Sequence, residues 1–418
     1  MAPQLQPRAV RTMLRSLKMA AAAAGLILAV TSAARAADTV TVDDTARFLA
    51  GLQPSEGSPL TPLTKDPSWQ HYAKFFDNAF AQLEQRQLAK VRAWSDTNLA
   101  APKPTMFYFF SGPDFLYANA FYSKANTYVM AALEPSGSVP DLLKLPRGSI
   151  DGALSNIEHS LSTVMNFSFF ITKHMKTDLH VGQVSGALPL LFVFMERSGK
   201  SIRDVTPVVL DDDGKVLTGG ESVGKPNAPR GVRILFAGTD GAEKTLYYFS
   251  TDLSNTGVRS SGFLKFCATL APGNSLIKSA SYLLHSGSFT TARDFLLNNS
   301  ATIIQDDSGI PLGDYNSKKW HFFPFGHYAG PISEFPGRYQ QSYAELFRRA
   351  QPMDFGIGYR WRTYDSNLLL SVKLGPDEAP PAEATASTDT PPPPPTKPHA
   401  KKPKPPVAEH NNGFFWFR

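Results

Sequence analysis

Residues 107–140, FYFFSGPDFLYANAFYSKANTYVMAALEPSGSVP, constrain the fold more than any other stretch, because two apolar runs there are each closed by turn residues that carry an acid. The run at 107–110 is aromatic and short, as a buried strand is. Ser111-Gly112-Pro113-Asp114 ends it with turn dihedrals and a cap, which predicts a helix from Pro113 or Asp114 with Phe115, Leu116, Ala120 and Phe121 as its apolar positions. Residues 127–133 return to strand formers, and Glu134-Pro135-Ser136-Gly137 stops them. This order places Asp114 and Glu134 near strand ends, where open sheets carry their ligand sites. The plain alternative makes Asp114 an N-cap and Glu134 a solvated strand end.

With 418 residues, 42% hydrophobic and 19% charged, the chain has material for a full core. Its formal charge of +6 misleads, since Arg8, Arg11, Arg15, Lys18 and Arg35 all fall in the first 36 residues, which hold no acid. Without them the charge is 6 − 5 = +1, so there is no general electrostatic case for a nucleic-acid partner. Those basic residues flank the apolar segment 19–30, and Ala34-Arg35-Ala36 follows with small residues where signal peptidase reads. The pattern is that of a secretory signal peptide over 1–36, with no transmembrane segment after its cleavage, and the expected location is the bacterial periplasm or the exterior. Cys267 is the single cysteine, so the chain has no intramolecular disulfide, and its apolar surroundings predict a buried, inert thiol.

Further along, Asp43-Asp44 is read as the cap of a short helix, and Pro67 opens a long one. Trp69, Tyr72, Phe76, Phe80, Leu83, Leu88, Val91 and Trp94 form its core stripe. Asp151 is read as the cap of a helix carrying Leu154, Ile157, Leu161 and Val164, while 188–195 is either a buried helix or a buried strand. The period then changes: 205–210, 232–236 and 245–249 read as strands joined by Asp213-Gly214 and Asp240-Gly241 turns, an antiparallel section. Residues 275–298 read as helix through Leu276, Ala280, Leu283 and Leu284, followed by strands at 301–304 and 320–325, a helix at 339–349 and strands at 355–359 and 368–372. From Gly375 the composition turns to proline and lysine, which cannot build a core. The expected architecture is α+β: a mixed, largely antiparallel sheet with packed helices in one large domain over 37–375, and a disordered Pro/Lys-rich tail over 376–418.

The strings FSGPDFLY, LEPSG, KSASYLLH from Lys278 to His285 and QDDSGIP from Gln305 to Pro311 resemble an uncharacterised family of secreted bacterial proteins. The resemblance spans most of the chain between leader and tail; it implies no mechanism and assigns no functional residue.

No H-E-x-x-H, no glycine-rich phosphate loop ending in Lys and Ser or Thr and no C-x-x-C occurs. His159, His174 and His180 lack metal-ligand spacing, so no metal and no cofactor is expected. What remains is a set of acids and a histidine near strand ends: Asp114, Glu134, His285, Asp306 and Asp307. Paired carboxylates can serve hydrolysis, of a glycan for instance, as acid and base. Two readings therefore stay open: a binding or structural protein of the cell envelope, localised through a partner of its 376–418 tail, and a cofactor-independent envelope hydrolase. A pocket joining Asp114, Glu134 and Asp306 or Asp307 would favour the enzyme.

Overall fold

The structure, a computed structural model, describes residues 39–99, 101–169, 184–219 and 228–375. The expected leader, the tail, His174 and His180 lie outside them. Strand β1 (Thr105–Phe109) is buried on both faces, which is why its sequence is an unbroken apolar run rather than an alternating one. Successive side chains enter different cores: Met106 and Tyr108 join one, Phe107 and Phe109 the other. Strand β2 (Thr127–Ala132) repeats this with Tyr128 and Met130 against Val129 and Ala131.

One ten-stranded sheet thus lies between two helical layers. The first layer holds α1 (Val42–Leu49), α2 (Pro67–Leu83), α3 (Ala89–Asn98), α4 (Phe115–Phe121), α5 (Arg147–Phe167) and α6 (Leu188–Arg197). The second holds α7 (Asn255–Arg259), α8 (Phe263–Thr269) and α9 (Thr290–Asn299). A π-helical turn at Glu84–Leu88 joins α2 to α3, and the expected aromatic stripe from Trp69 to Trp94 is buried along the whole run. The remaining strands are β3 (Ser201–Leu210), β4 (Val216–Thr218), β5 (Arg230–Ala237), β6 (Glu243–Ser250), β7 (Gly273–Ile277), β8 (Ser300–Gln305), β9 (Trp320–Gly326) and β10 (Asn367–Lys373), in the spatial order β4-β3-β5-β6-β2-β1-β7-β8-β10-β9. Helix α10 (Gln341–Leu346) packs at the β10 side through Tyr343 and Leu346.

The fold is α+β with a mixed sheet. Five neighbouring strand pairs are antiparallel and four parallel, and the parallel ones form a continuous central block, β6-β2-β1-β7-β8. The chain leaves β1 for β2 through α4 in the first layer, and leaves β7 for β8 through α9 in the second. Since β2 and β8 lie on opposite sides of the adjacent pair β1 and β7, the two loops depart in opposite directions, which makes the carboxyl ends of β1 and β7 the sheet's switch point.

Four local expectations are corrected. The helix read over 275–298 is instead β7, a loop and then α9: Leu276, Ala280, Leu283 and Leu284 have helical spacing, but Asn274 and Ser275 are paired in parallel with both β1 and β8. The cap of α1 is Thr41, whose hydroxyl accepts from Asp44 N at 3.0 Å while Asp44 reaches back to Thr41 N. Helix α5 begins after Pro146, leaving Asp151 inside it as an acceptor for the Ser68 hydroxyl at 2.6 Å. Residues 355–359 form a loop rather than a strand. The open choice at 188–195 falls to helix, with Pro189 in the first turn where its missing N–H costs nothing. Among the described residues no helix is long and apolar enough to cross a membrane.

Candidate functional site

Asp114 sits where β1 gives way to α4. Its Oδ1 accepts from Tyr117 N at 3.1 Å, so it is the N-cap of that helix. Its second oxygen has another use: Oδ2 accepts from the Tyr108 hydroxyl at 2.9 Å and from Lys278 Nζ at 2.8 Å. Burial pushes the Asp114 carboxyl up, and the Lys278 ammonium leads the groups that oppose it. Three donors converging on the two oxygens are arranged for the carboxylate form. Lys278 is the first residue after β7, and its side chain is 2% exposed. It also donates to the Ser168 carbonyl and lies 4.1 Å from the Tyr117 ring centroid. An ion pair this deep is weak evidence for stability, because a hydrophobic pair of the same volume would avoid the desolvation of both charges.

The loop that follows Lys278 is strained. Ser279, Ser281 and Tyr282 have φ of +52°, +50° and +53°, a left-handed conformation that costs a residue with a side chain about 1–3 kcal/mol. The strain aims groups at the end of β8. Ser279 N donates to Asp306 Oδ2 at 2.9 Å, Ala280 N to Ser308 Oγ at 2.8 Å, and the Tyr282 hydroxyl to Asp307 Oδ2 at 2.6 Å. Asp306 Oδ1 accepts from the Ser308 amide at 3.0 Å and from its hydroxyl, and Asp307 Oδ1 accepts from Asn367 Nδ2 at 3.0 Å. Gly358 closes on the far side. A Cβ there would stand 1.9 Å from Asp306 Oδ2, and the residue's φ is +72°. Its amide donates to the Ser168 hydroxyl at 3.1 Å, which joins this side of the site to the Lys278 acceptor.

Asp306 and Asp307 follow β8 and begin a turn. Both are buried, at 2% and 3% exposure, because the Lys278–Tyr282 loop, Asn367 of β10 and the Gly358 loop surround the turn. Burial, and then the charge of Asp307, push the Asp306 carboxyl up to about 7. Burial also raises Asp307, against the hydrogen bonds of Tyr282 and Asn367. His285 stacks edge-on against Tyr282, and burial followed by the charge of Arg338 lowers its imidazole to about 4, so it is neutral at pH 7. The hydroxyl of Ser279 and Nε2 of His285 are buried with no hydrogen-bond partner among the described residues.

The five residues singled out from sequence therefore divide. Asp114 and Asp306 meet on the two sides of the Lys278-Ser279 peptide, one through the lysine side chain and the other through the serine amide. Asp307 and His285 adjoin them through Tyr282. Glu134 is buried after β2, where its carbonyl accepts from the Tyr248 hydroxyl of β6 at 3.0 Å. Its neighbours Leu133 and Pro135 line a different cleft of about 640 Å³ with Arg230, Asp252 and Thr256.

Sequence reasoning missed Lys278, Ser279, Tyr108, Tyr282 and Gly358. The available signal was the small, polar run Lys278-Ser279-Ala280-Ser281 directly after an apolar segment, a loop composition that helical spacing masked. Motif reading also passed over Gly220-Glu221-Ser222-Val223-Gly224, which has the spacing of a nucleophile elbow. It lies outside the described residues. Among the described residues no group of three or more His, Cys, Asp or Glu side chains is placed to hold a metal ion. Comparison with protein-family models, with curated proteins and with solved structures finds no match to the chain.

Proposed function

We propose that the protein is an exported enzyme that performs acid–base hydrolysis at the carboxyl ends of β1 and β7, with Asp306 as the proton-transfer group. The carrying observation is the strained Lys278–Tyr282 loop, which joins a buried ion pair on one side to a carboxyl held up to about 7 on the other, at the sheet's switch point. A carboxyl in that range can both give and take a proton near neutrality. The Lys278 ammonium, fixed by Asp114 and Ser168, supplies a preorganised positive charge on the other side of the Lys278-Ser279 peptide. The free Ser279 hydroxyl is the group left to meet substrate.

The test is a panel of chromogenic esters, glycosides and phosphate esters, supplemented by cell-wall glycan. The parent protein is expected to turn over at least one substrate, and Asp306→Asn to lose about 100-fold or more of that rate while melting at or near the parent temperature. A silent panel, or equal rates in parent and mutant, overturns the proposal. Export is tested separately by N-terminal sequencing of the mature protein, expected to start at Ala37.

A second reading, a binding or structural module of the envelope, draws on the hydrogen bonds that Asp306 and Asp307 already make within the chain. Under that reading Asp306→Asn changes stability and nothing else.

A further inference from the structure

A cleft of about 460 Å³ lies between the π-helical turn, α4 and the turn from α6 to β3, with Glu84, Arg92, Asn119, Ser123, Arg197 and Lys200 on its walls. Its cations are not equivalent. Arg92 is paired with Glu84. Arg197 is held by Asp77 at 2.5 Å and by the carbonyls of Ala50 and Gly51. Lys244, close by, gives its ammonium to the Ser123 carbonyl at 2.6 Å.

Lys200 alone of these has no acceptor: it is 6% exposed, and no hydrogen bond or ion pair to its ammonium is made among the described residues. Its strongest acidic influence, Asp240, sits on the exposed turn between β5 and β6 and acts on Lys244 as well. Burial, followed by the charges of Lys244 and Arg92, lowers the Lys200 ammonium. Beside it Asn119, 8% exposed on α4, has an Oδ1 without a partner. The oxygen and nitrogen of a carboxamide exchange by a half-turn, so this side chain can equally present two N–H donors. The wall opposite is the π-helical turn, a device that proteins place at functional sites.

A lysine packed to 6% exposure whose ammonium meets no acceptor within the chain keeps only the water of the cleft for a partner, and an incoming anion takes that place. We propose that this cleft binds a small oxyanion, the phosphate, sulfate or carboxylate group of a ligand, between the Lys200 ammonium and the Asn119 carboxamide. The site is independent of the Asp114–Asp306 region and of the hydrolytic reading.

The experiment titrates the full chain with inorganic phosphate, sulfate and acetate in separate arms, each against sodium chloride of equal ionic strength, and follows melting temperature and heat of binding. At least one oxyanion is expected to bind saturably and raise the melting temperature beyond its chloride control; the arm that binds tightest identifies the head group. Lys200→Met is expected to melt higher than the parent without anion and to bind at least 10-fold more weakly. Should that variant not fold, Asn119→Asp, which is isosteric and adds a negative charge, is expected to abolish binding. No saturable binding in any arm, or unchanged binding in the variant examined, overturns the proposal.

Discussion

Two regions of this protein each bury an acid whose carboxyl is pushed far above its ordinary range, and they solve the problem differently. Glu196, in the last turn of α6, is raised to about 9 by burial and then by the charge of Asp43. It stays in regular helix. Asp43 spends one oxygen on Ile202 N at 2.5 Å and on the Ser201 hydroxyl at 3.1 Å, which ties α1 to the start of β3. Arg47 approaches Glu196 at 3.8 Å and opposes that rise without cancelling it. Around Asp306, by contrast, three non-glycine residues are held left-handed, and a lysine and an aspartate are desolvated together. A raised carboxyl alone therefore nominates no site. Backbone strain and topology distinguish the region near β7 from the one near α6, where protonation is enough.

The comparison breaks or sharpens first on the ion pair. Lys278→Met leaves Asp114 as a buried charge without its counter-ion and is expected to cost about 3–5 kcal/mol in urea unfolding. The double variant with Asp114→Leu is expected to recover most of that stability without recovering activity. If the double variant is fully active, the pair is packing and the two regions are alike. Gly358→Ala is expected next, at about 2 kcal/mol or more, because the added Cβ meets Asp306 Oδ2 and the left-handed φ opposes it. The loss should appear in thermal unfolding and in any turnover together.

The third test uses pH, with the sign fixed by linkage. Asp306 is raised from 3.8 to about 7, so the native state holds a proton which the unfolded chain has released, and this contribution to stability is lost as pH climbs from about 4 to about 7. Glu196, raised from 4.5 to about 9, loses its contribution across the wider window up to about 9. Relative to the parent, Asp306→Asn should gain on the order of 2–3 kcal/mol between pH 5 and pH 8, and Glu196→Gln should keep gaining above pH 8. Only the first should alter a pH–rate profile. A Glu196→Gln variant that loses activity would dissolve the distinction between the regions. The smallest effect belongs to Cys267, fully buried in the second core with its thiol pushed up by burial: Cys267→Ala is expected to cost about 1 kcal/mol and leave activity unchanged.

Local pattern by itself determined much of this chain. The apolar run before Ser111-Gly112-Pro113-Asp114 specified β1, its turn and the cap of α4, and the aromatic spacing from Trp69 to Trp94 specified the helical stripe, because both depend on neighbours a few residues away. The Asp213-Gly214 and Asp240-Gly241 turns likewise separated β3 from β4 and β5 from β6. What only the tertiary structure decided is that residues 273–277 are a strand and that Lys278 reaches Asp114. The spacing of Leu276, Ala280, Leu283 and Leu284 suits a helix, yet the slot between β1 and β8 is filled by extended backbone whose hydrogen bonds lie far away in sequence. The acids differ for the same reason. Ser308, two residues on, is the local part of the Asp306 shell, whereas Ser279 and Gly358, which close it, come from distant segments. A carboxyl's protonation follows the water and charge around it; the charge of Asp307 was legible in the sequence, but the exclusion of water, the larger cause, is a property of the assembled sheet.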